Sequence, residues 1–142
     1  MPEKLIIWVD DDNDLIQPQS EYLQENGYHV VIVPDVDQAI DIISRSRSLI
    51  YGIILDVMMN PGTILRNEPH NGGLTTGLAL FYYLREQHIC PPVRAFIFTH
   101  RSDPEAANEL AAFGISYHQK QHYKGKAICA LVEREFDPDE TR

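Results

Sequence analysis

The sequence predicts an α/β fold: a doubly wound parallel sheet of five strands with five helices. Three observations carry that expectation. Short apolar runs alternate with amphipathic stretches along nearly the whole chain. The runs LIIWV at 5–9 and IYGIIL at 50–55 are apolar almost throughout, as strands covered on both faces are. The stretches between the runs are long enough for helical crossovers, which join parallel strands right-handedly.

The elements follow in order. Leu5–Val9 reads as the first strand. Asn13–Asn26 has Leu15, Tyr22 and Leu23 at near-helical spacing and stops at Gly27. Pro18 must sit near the first turn of that helix or bend it. His29–Val33 is the second strand. Asp35 offers an N-cap, with Gln38 three residues on as in a capping box. Ala39, Ile40, Ile42 and Ile43 give the second helix its buried face. Ile50–Leu55 is the third strand. Residues 57–76 lack periodicity and carry Pro61, Gly62, Pro69, Gly72 and Gly73, so a long loop is expected. Gly77–His88 is helical, with Leu78, Phe81 and Leu84 in register, and Val93–Phe98 is the fourth strand. Ser102–Glu105 reads as a capping box with proline in the first turn, leading into Ala106–Phe113 and a stop at Gly114. Ile115–His118 is a short fifth strand, Tyr123–Phe136 the last helix, and 137–142 a frayed tail.

A length of 142 residues suits one domain, 1–142, whose core needs no staples. Twelve basic residues against 21 acidic ones give a net charge of −9. That balance speaks against nucleic-acid or anionic-membrane binding, which want basic surface, and suits a basic partner or a held cation. Cys90 and Cys129 are too few for a disulfide framework. No stretch approaches the roughly 20 apolar residues of a membrane span, and the start, MPEK, is not a signal peptide. A soluble cytoplasmic protein is expected.

In doubly wound sheets the functional crevice lies beyond the carboxyl ends of the strands. The first strand ends in Asp10-Asp11-Asp12, the third in Asp56 and the fourth in Thr99, and Lys120 follows the fifth. Taken singly these are ordinary residues: acids cap helices, a strand-end Asp turns the chain, Thr fills strands and Lys is solvated. Together they put carboxylates, a hydroxyl and an ammonium on one edge. Clustered carboxylates repel unless a cation intervenes, and a hard ion such as Mg²⁺ takes oxygen ligands. With the metal bound, Asp56 stays ionised and can attack phosphorus, while Lys120 and Thr99 hold phosphoryl oxygens.

These residues resemble the receiver domain of two-component response regulators, a flavodoxin-like fold. The motifs are LIIWVDDD at 5–12, IILDVMMNPG at 53–62, TGLALFYYLR at 76–85, FIFTHRS at 96–102 and YHQK at 117–120. The likeness spans about 4–136, with Asp11 and Asp56 45 residues apart and Thr99 and Lys120 21 apart. It implies Asp56 as phosphoacceptor, Asp11 as a direct Mg²⁺ ligand, Asp10 as a ligand through water or by orientation, and the Met58 backbone carbonyl as a further ligand. It implies Thr99 and Lys120 as phosphoryl-binding groups and Tyr117 as an aromatic switch moving with Thr99. The donor would be the phosphohistidine of a histidine kinase or histidine phosphotransfer protein. The output would be contact with a downstream protein, since only about six residues follow the last helix. A homodimer linked to phosphorylation fits the family.

Four departures stand out. Gln121 follows Lys120 where the family has proline in a cis peptide, which costs ~2.5–4 kcal/mol without proline. His100 replaces a small residue after Thr99, and Arg101 another, so both are expected to modulate access to the site. Residues 62–74 lengthen the loop after Asp56, as a partner-recognition loop or a lid. A haloacid-dehalogenase-like phosphatase would need a second Asp where Met58 stands. A flavodoxin-type phosphate cradle would be repelled by Asp10–Asp12. Zinc at His118 and His122 would need both on one helix. The rival reading is a pseudo-receiver, an unphosphorylated interaction module.

Overall fold

The apolar runs become strands because each side of each run has something to bury. The computed structural model describes residues 4–68 and 75–137, without the side chains of 13–15. The strands are β1 (Lys4–Val9), β2 (Tyr28–Val33), β3 (Ile50–Leu55), β4 (Ala95–Thr99) and β5 (Tyr117–Gln119). The helices are α1 (Asn13–Glu25), α2 (Val36–Ser46), α3 (Thr76–Glu86), α4 (Pro104–Ala111) and α5 (Ala127–Phe136). The sheet is parallel, in the order β2-β1-β3-β4-β5. The doubly wound expectation therefore holds.

Alternation along β1 shows the two faces. Ile7 and Val9 pack with α2 and α3, while Ile6 and Trp8 pack with Ile16 and Leu23 of α1 and with Ile128, Leu131 and Val132 of α5. Trp8, Phe96 and Phe98 meet edge to face under α5. Truncating a side chain of this size in a packed core costs ~3–5 kcal/mol. Gly52 leaves room for the Phe136 ring, which a Cβ there would overlap.

Several boundaries shift, each for a local reason. The last helix starts at Ala127, not Tyr123, because Lys120–His122 form a 3₁₀ turn and Gly125 takes a φ of 59°. β5 starts two residues later than predicted and ends one later, at Tyr117–Gln119, and β4 starts two later and ends one later, at Ala95–Thr99. Asp103, not Ser102, caps α4: its carboxylate accepts the Ala106 N–H at 3.0 Å, with Pro104 beside it in the first turn. Asp35 caps α2 as expected, accepting from Gln38 N–H at 2.9 Å. Pro18 lies inside α1, beyond its first turn. The buried stripe of α1 is Ile16, Gln19, Ser20 and Leu23, while Tyr22 faces solvent. Two polar residues in that stripe hid it from the sequence pattern. α3 ends two residues early, and His88 takes a left-handed φ of 59°. Ile89 and His88 then return hydrogen bonds to the carbonyls of Leu84 and Arg85, at 2.9 and 3.1 Å, which closes the helix end.

The loop after β3 is partly built into the fold. Leu65 is fully buried in the α2–α3 side of the core. The Asp37 carboxylate of α2 accepts the N–H groups of Thr63 and Ile64 at 2.7 and 2.9 Å. Those two bonds hold the Asp37 carboxyl below its usual range. Pro69, His70, Gly72, Gly73 and Leu74 of the expected loop, and the tail beyond Asp137, lie outside the described residues. Among the described residues no helix is long and apolar enough to cross a membrane.

Candidate functional site

Strand register decides which residues meet. Val9 pairs with Leu55, Leu55 with Ile97, and Thr99 with Gln119. Asp10, Asp56, Thr99 and Lys120 therefore emerge along one edge. Backbone bonds fix two of them: Asp56 N–H donates to Val9 C=O at 2.9 Å and Asp10 N–H to Val33 C=O at 3.2 Å. Behind Asp56, α3 begins in direct contact with the strand end. Gly77 N–H donates to Val57 C=O at 2.9 Å, and a Cβ on Gly77 would collide with the Asp56 carbonyl oxygen.

The side chains converge. Asp10, Asp56, Thr99 and Lys120 are all buried, while Asp11 is exposed. Carboxylate oxygens of Asp10, Asp11 and Asp56 lie within 4.8 Å of one another. Lys120 Nζ donates to Asp10 Oδ2 at 2.5 Å and stands 3.5 Å from Asp56 Oδ2. Asp10 Oδ1 also accepts the Asp12 N–H at 2.9 Å, and Asp56 Oδ1 accepts the Val57 N–H at 2.8 Å. Asp12 thus steadies Asp10 and makes no side-chain cap on α1.

One ammonium against three carboxylates leaves the cluster short of positive charge. Burial, and then the Asp56 charge, push the Asp10 carboxyl up to about 6. Burial and the neighbouring Asp56 also raise Asp11. The donor set, carboxylate oxygens only and close together, fits a hard divalent cation such as Mg²⁺. The Met58 side chain is exposed, two residues beyond Asp56.

The residues flanking Thr99 and Lys120 form two links. Tyr117 is half-buried, and its hydroxyl donates to Arg101 C=O at 2.7 Å. Burial and the nearby Asp103 charge raise that phenol to about 12. His100 Nδ1 lies 3.4 Å from Gln121 Oε1, and Gln121 Nε2 donates to His100 C=O at 3.4 Å. The two departures from the family pattern therefore touch each other. Among the described residues the cis peptides are Cys90–Pro91 and Pro91–Pro92, so the Lys120–Gln121 bond is trans, and Lys120 still reaches Asp10. Residues 120–122 turn tightly there instead. Zinc at His118 and His122 finds no support. His118 Nε2 is 3.1 Å from Glu135, and the metal-competent cluster among the described residues is Asp10, Asp11 and Asp56. Sequence reasoning missed Gln19, buried under the site edge with its amide on Tyr123 C=O at 2.7 Å, and Asp37. An interior position of α1 with a polar residue gave no signal for the former.

Comparison with solved structures gives the fold. A response regulator receiver domain from Clostridium thermocellum superposes with a TM-score of 0.73 at 16% identity, covering 97% of this chain and 98% of that one. The chemotaxis protein CheY4 of Vibrio cholerae gives 0.71 at 22%, over 94% and 98%. The beryllofluoride-activated N-terminal receiver domain of Klebsiella pneumoniae RstA gives 0.71 at 19%, over 94% and 99%. The chain thus has the fold of response regulator receiver domains. Among curated proteins, it is 33% identical over 88 residues to the transcriptional regulatory protein CpxR of Escherichia coli K12 and to that of Shigella flexneri. That alignment covers 62% of this chain and spans about a third (31%) of the CpxR length. No family model matches the sequence.

Proposed function

We propose that this chain is a phosphoacceptor receiver that takes a phosphoryl group onto Asp56 from a phosphohistidine of a histidine kinase or histidine phosphotransfer protein. The observation that carries the proposal is the charge arrangement: Asp10, Asp11 and Asp56 within 4.8 Å, with one buried lysine bridging two of them. Asp10 and Asp11 would hold Mg²⁺ together with Asp56, and the Met58 carbonyl would complete the protein ligands. Bound there, the ion neutralises the cluster and the incoming phosphoryl charge.

The chain's own residues supply the rest. The Asp56 oxygen that does not accept from Val57 attacks phosphorus as the P–N bond of the donor breaks. Lys120 is already held at 3.5 Å from that oxygen, so it needs little reorganisation to pair with an added phosphoryl group. Thr99 ends the neighbouring strand and offers its hydroxyl. Tyr117, bonded to the turn after Thr99, is the group that a movement of Thr99 would release or hold. The signal then passes to a downstream protein, in the cytoplasm.

The described half of the inserted loop supports recognition over a lid. Asp37 and Leu65 fasten it toward α2, on the β2 side of the site, away from Thr99 and Lys120. Shortening residues 66–74 while keeping the Leu65 anchor should leave acetyl-phosphate labelling intact and remove partner binding.

The decisive test is mass spectrometry of the chain after incubation with acetyl phosphate and Mg²⁺. One phosphoryl group is expected on the wild type and none on Asp56→Asn. Labelling that persists in Asp56→Asn would overturn the assignment. Absence of labelling in the wild type would leave an unphosphorylated interaction module.

A further inference from the structure

At the opposite end of the sheet from Asp56, the fold gathers positive charge around an apolar hollow. A cleft of about 320 Å³ opens where β4 begins, between the ends of α3, α4 and α5. Its floor is Phe81, Cys90, Val93 and Ala95, all buried. Its wall is Phe113, 41% exposed. Three arginines line it: Arg85, Arg94 and Arg134.

This is unusual on a chain of net charge −9. Among the described residues, none of the three arginines has a carboxylate at ion-pair distance. The one carboxylate lining the cleft, Glu135, is engaged by His118 at 3.1 Å; against its burial, that bond and the charges of His118 and Arg134 hold its carboxyl below the usual range, which leaves Arg85 and Arg94 as the less compensated cations. Arg85 is set in place: its guanidinium lies 4.6 Å over the Phe113 ring, an arrangement that leaves the edges of the fork free to donate. Arg134 leans toward the Tyr123 hydroxyl at 3.4 Å, a long contact. Guanidinium groups beside an apolar floor suit a ligand with an oxyanion at one end and an apolar body at the other.

We propose that this cleft is a binding site for a small organic anion, its apolar or aromatic body on Phe81, Val93 and Phe113 and its sulfonate, carboxylate or phosphate on Arg85, Arg94 and Arg134. The site shares no residue with the Asp56 cluster, so it stands whether or not Asp56 is phosphorylated. The volume admits a ring or two, at the small end of ligand pockets.

The test uses the full chain, isotope-labelled, and two probes: 1-anilinonaphthalene-8-sulfonate and the uncharged N-phenyl-1-naphthylamine. Nuclear magnetic resonance titration with the sulfonate should give saturable shifts at the amides of Val93, Arg94, Ala95, Gly114 and Ile115. The uncharged probe should bind there roughly tenfold or more weakly, as loss of a charge-assisted hydrogen bond implies. Arg85→Gln and Arg94→Gln, both at exposed side chains, should each weaken the sulfonate by a similar factor while the remaining spectrum stays wild type. Equal binding of the two probes would make the cleft a mere apolar hollow and overturn the proposal. So would shifts centred elsewhere, or arginine variants that bind like wild type. Weak sulfonate binding alongside tight, arginine-dependent binding of an acidic peptide would assign the cleft to a protein partner instead and overturn it too.

Discussion

Asp10 gives up its water and receives one lysine and one backbone N–H in return. Its carboxyl titrates near 6 in the fold against 3.8 when unfolded, so folding takes up a proton between those values. The stability that this contributes is complete below about pH 4 and is lost as pH rises through about 6. In metal-free buffer, urea unfolding should show the wild type losing stability over that window, with Asp10→Asn losing less. Parallel curves for the two proteins would remove Asp10 from the account. A second residue-scale expectation concerns His100 and Gln121. The pair spans the ends of β4 and β5 above Lys120. His100→Ala and Gln121→Ala should each change the lifetime of phosphorylated Asp56, and the double variant should add little to either, because each holds the other. Equal lifetimes in wild type and His100→Ala would put the imidazole outside the hydrolytic path.

Elements differ in how openly the sequence declares them. β1 and β3 were legible because burial on both faces leaves Leu5–Val9 and 50–55 apolar almost throughout. The Asp35 cap was legible because capping is local. Tyr123 and Lys124 looked helical, yet the positive φ at Gly125 and the turn carrying Lys120 are decided by tertiary contacts that no short window contains. The same holds for Gly77. Its need for glycine comes from the Asp56 backbone, 21 residues away in sequence. Gly77→Ala should cost ~1–3 kcal/mol or more, because the colliding atom is backbone and cannot swing aside. Chemical denaturation measures it, and an unchanged midpoint would mean that α3 can retreat from the strand end. Asp37→Ala should cost about 1 kcal/mol by releasing two backbone donors to water. Hydrogen exchange at Thr63 and Ile64 should quicken, while β1 amides stay protected.

At the scale of the molecule, the candidate site was legible because topology converts four distant strand ends into one edge. Asp10, Asp56, Thr99 and Lys120 could be read from the order of the elements alone. The ionic pairing of Lys120 with Asp10 and Asp56 could not, since the reach of Lys120 past β4 and β3 to Asp10 is a matter of side-chain length and burial. The course of the inserted loop toward α2 was equally hidden, because nothing local marks Asp37, in the first turn of α2, as the acceptor for Thr63 and Ile64.

The strand order also governs how the chain is assembled during synthesis. β1 precedes the other strands in chain order yet lies inside the sheet, and its Ile6 and Trp8 face is covered in part by α5, made more than a hundred residues after it. At the ~5–20 residues per second of synthesis, that face waits several seconds for its cover. During the wait the nascent chain presents Trp8, Ile54, Phe96 and Phe98 as a sticky surface, the kind that chaperones capture. Chains arrested before Ala127 should therefore stay chaperone-bound or aggregate, whereas chains released with α5 complete should fold free. Pulse-labelled synthesis with staged arrest would show the change between those two lengths.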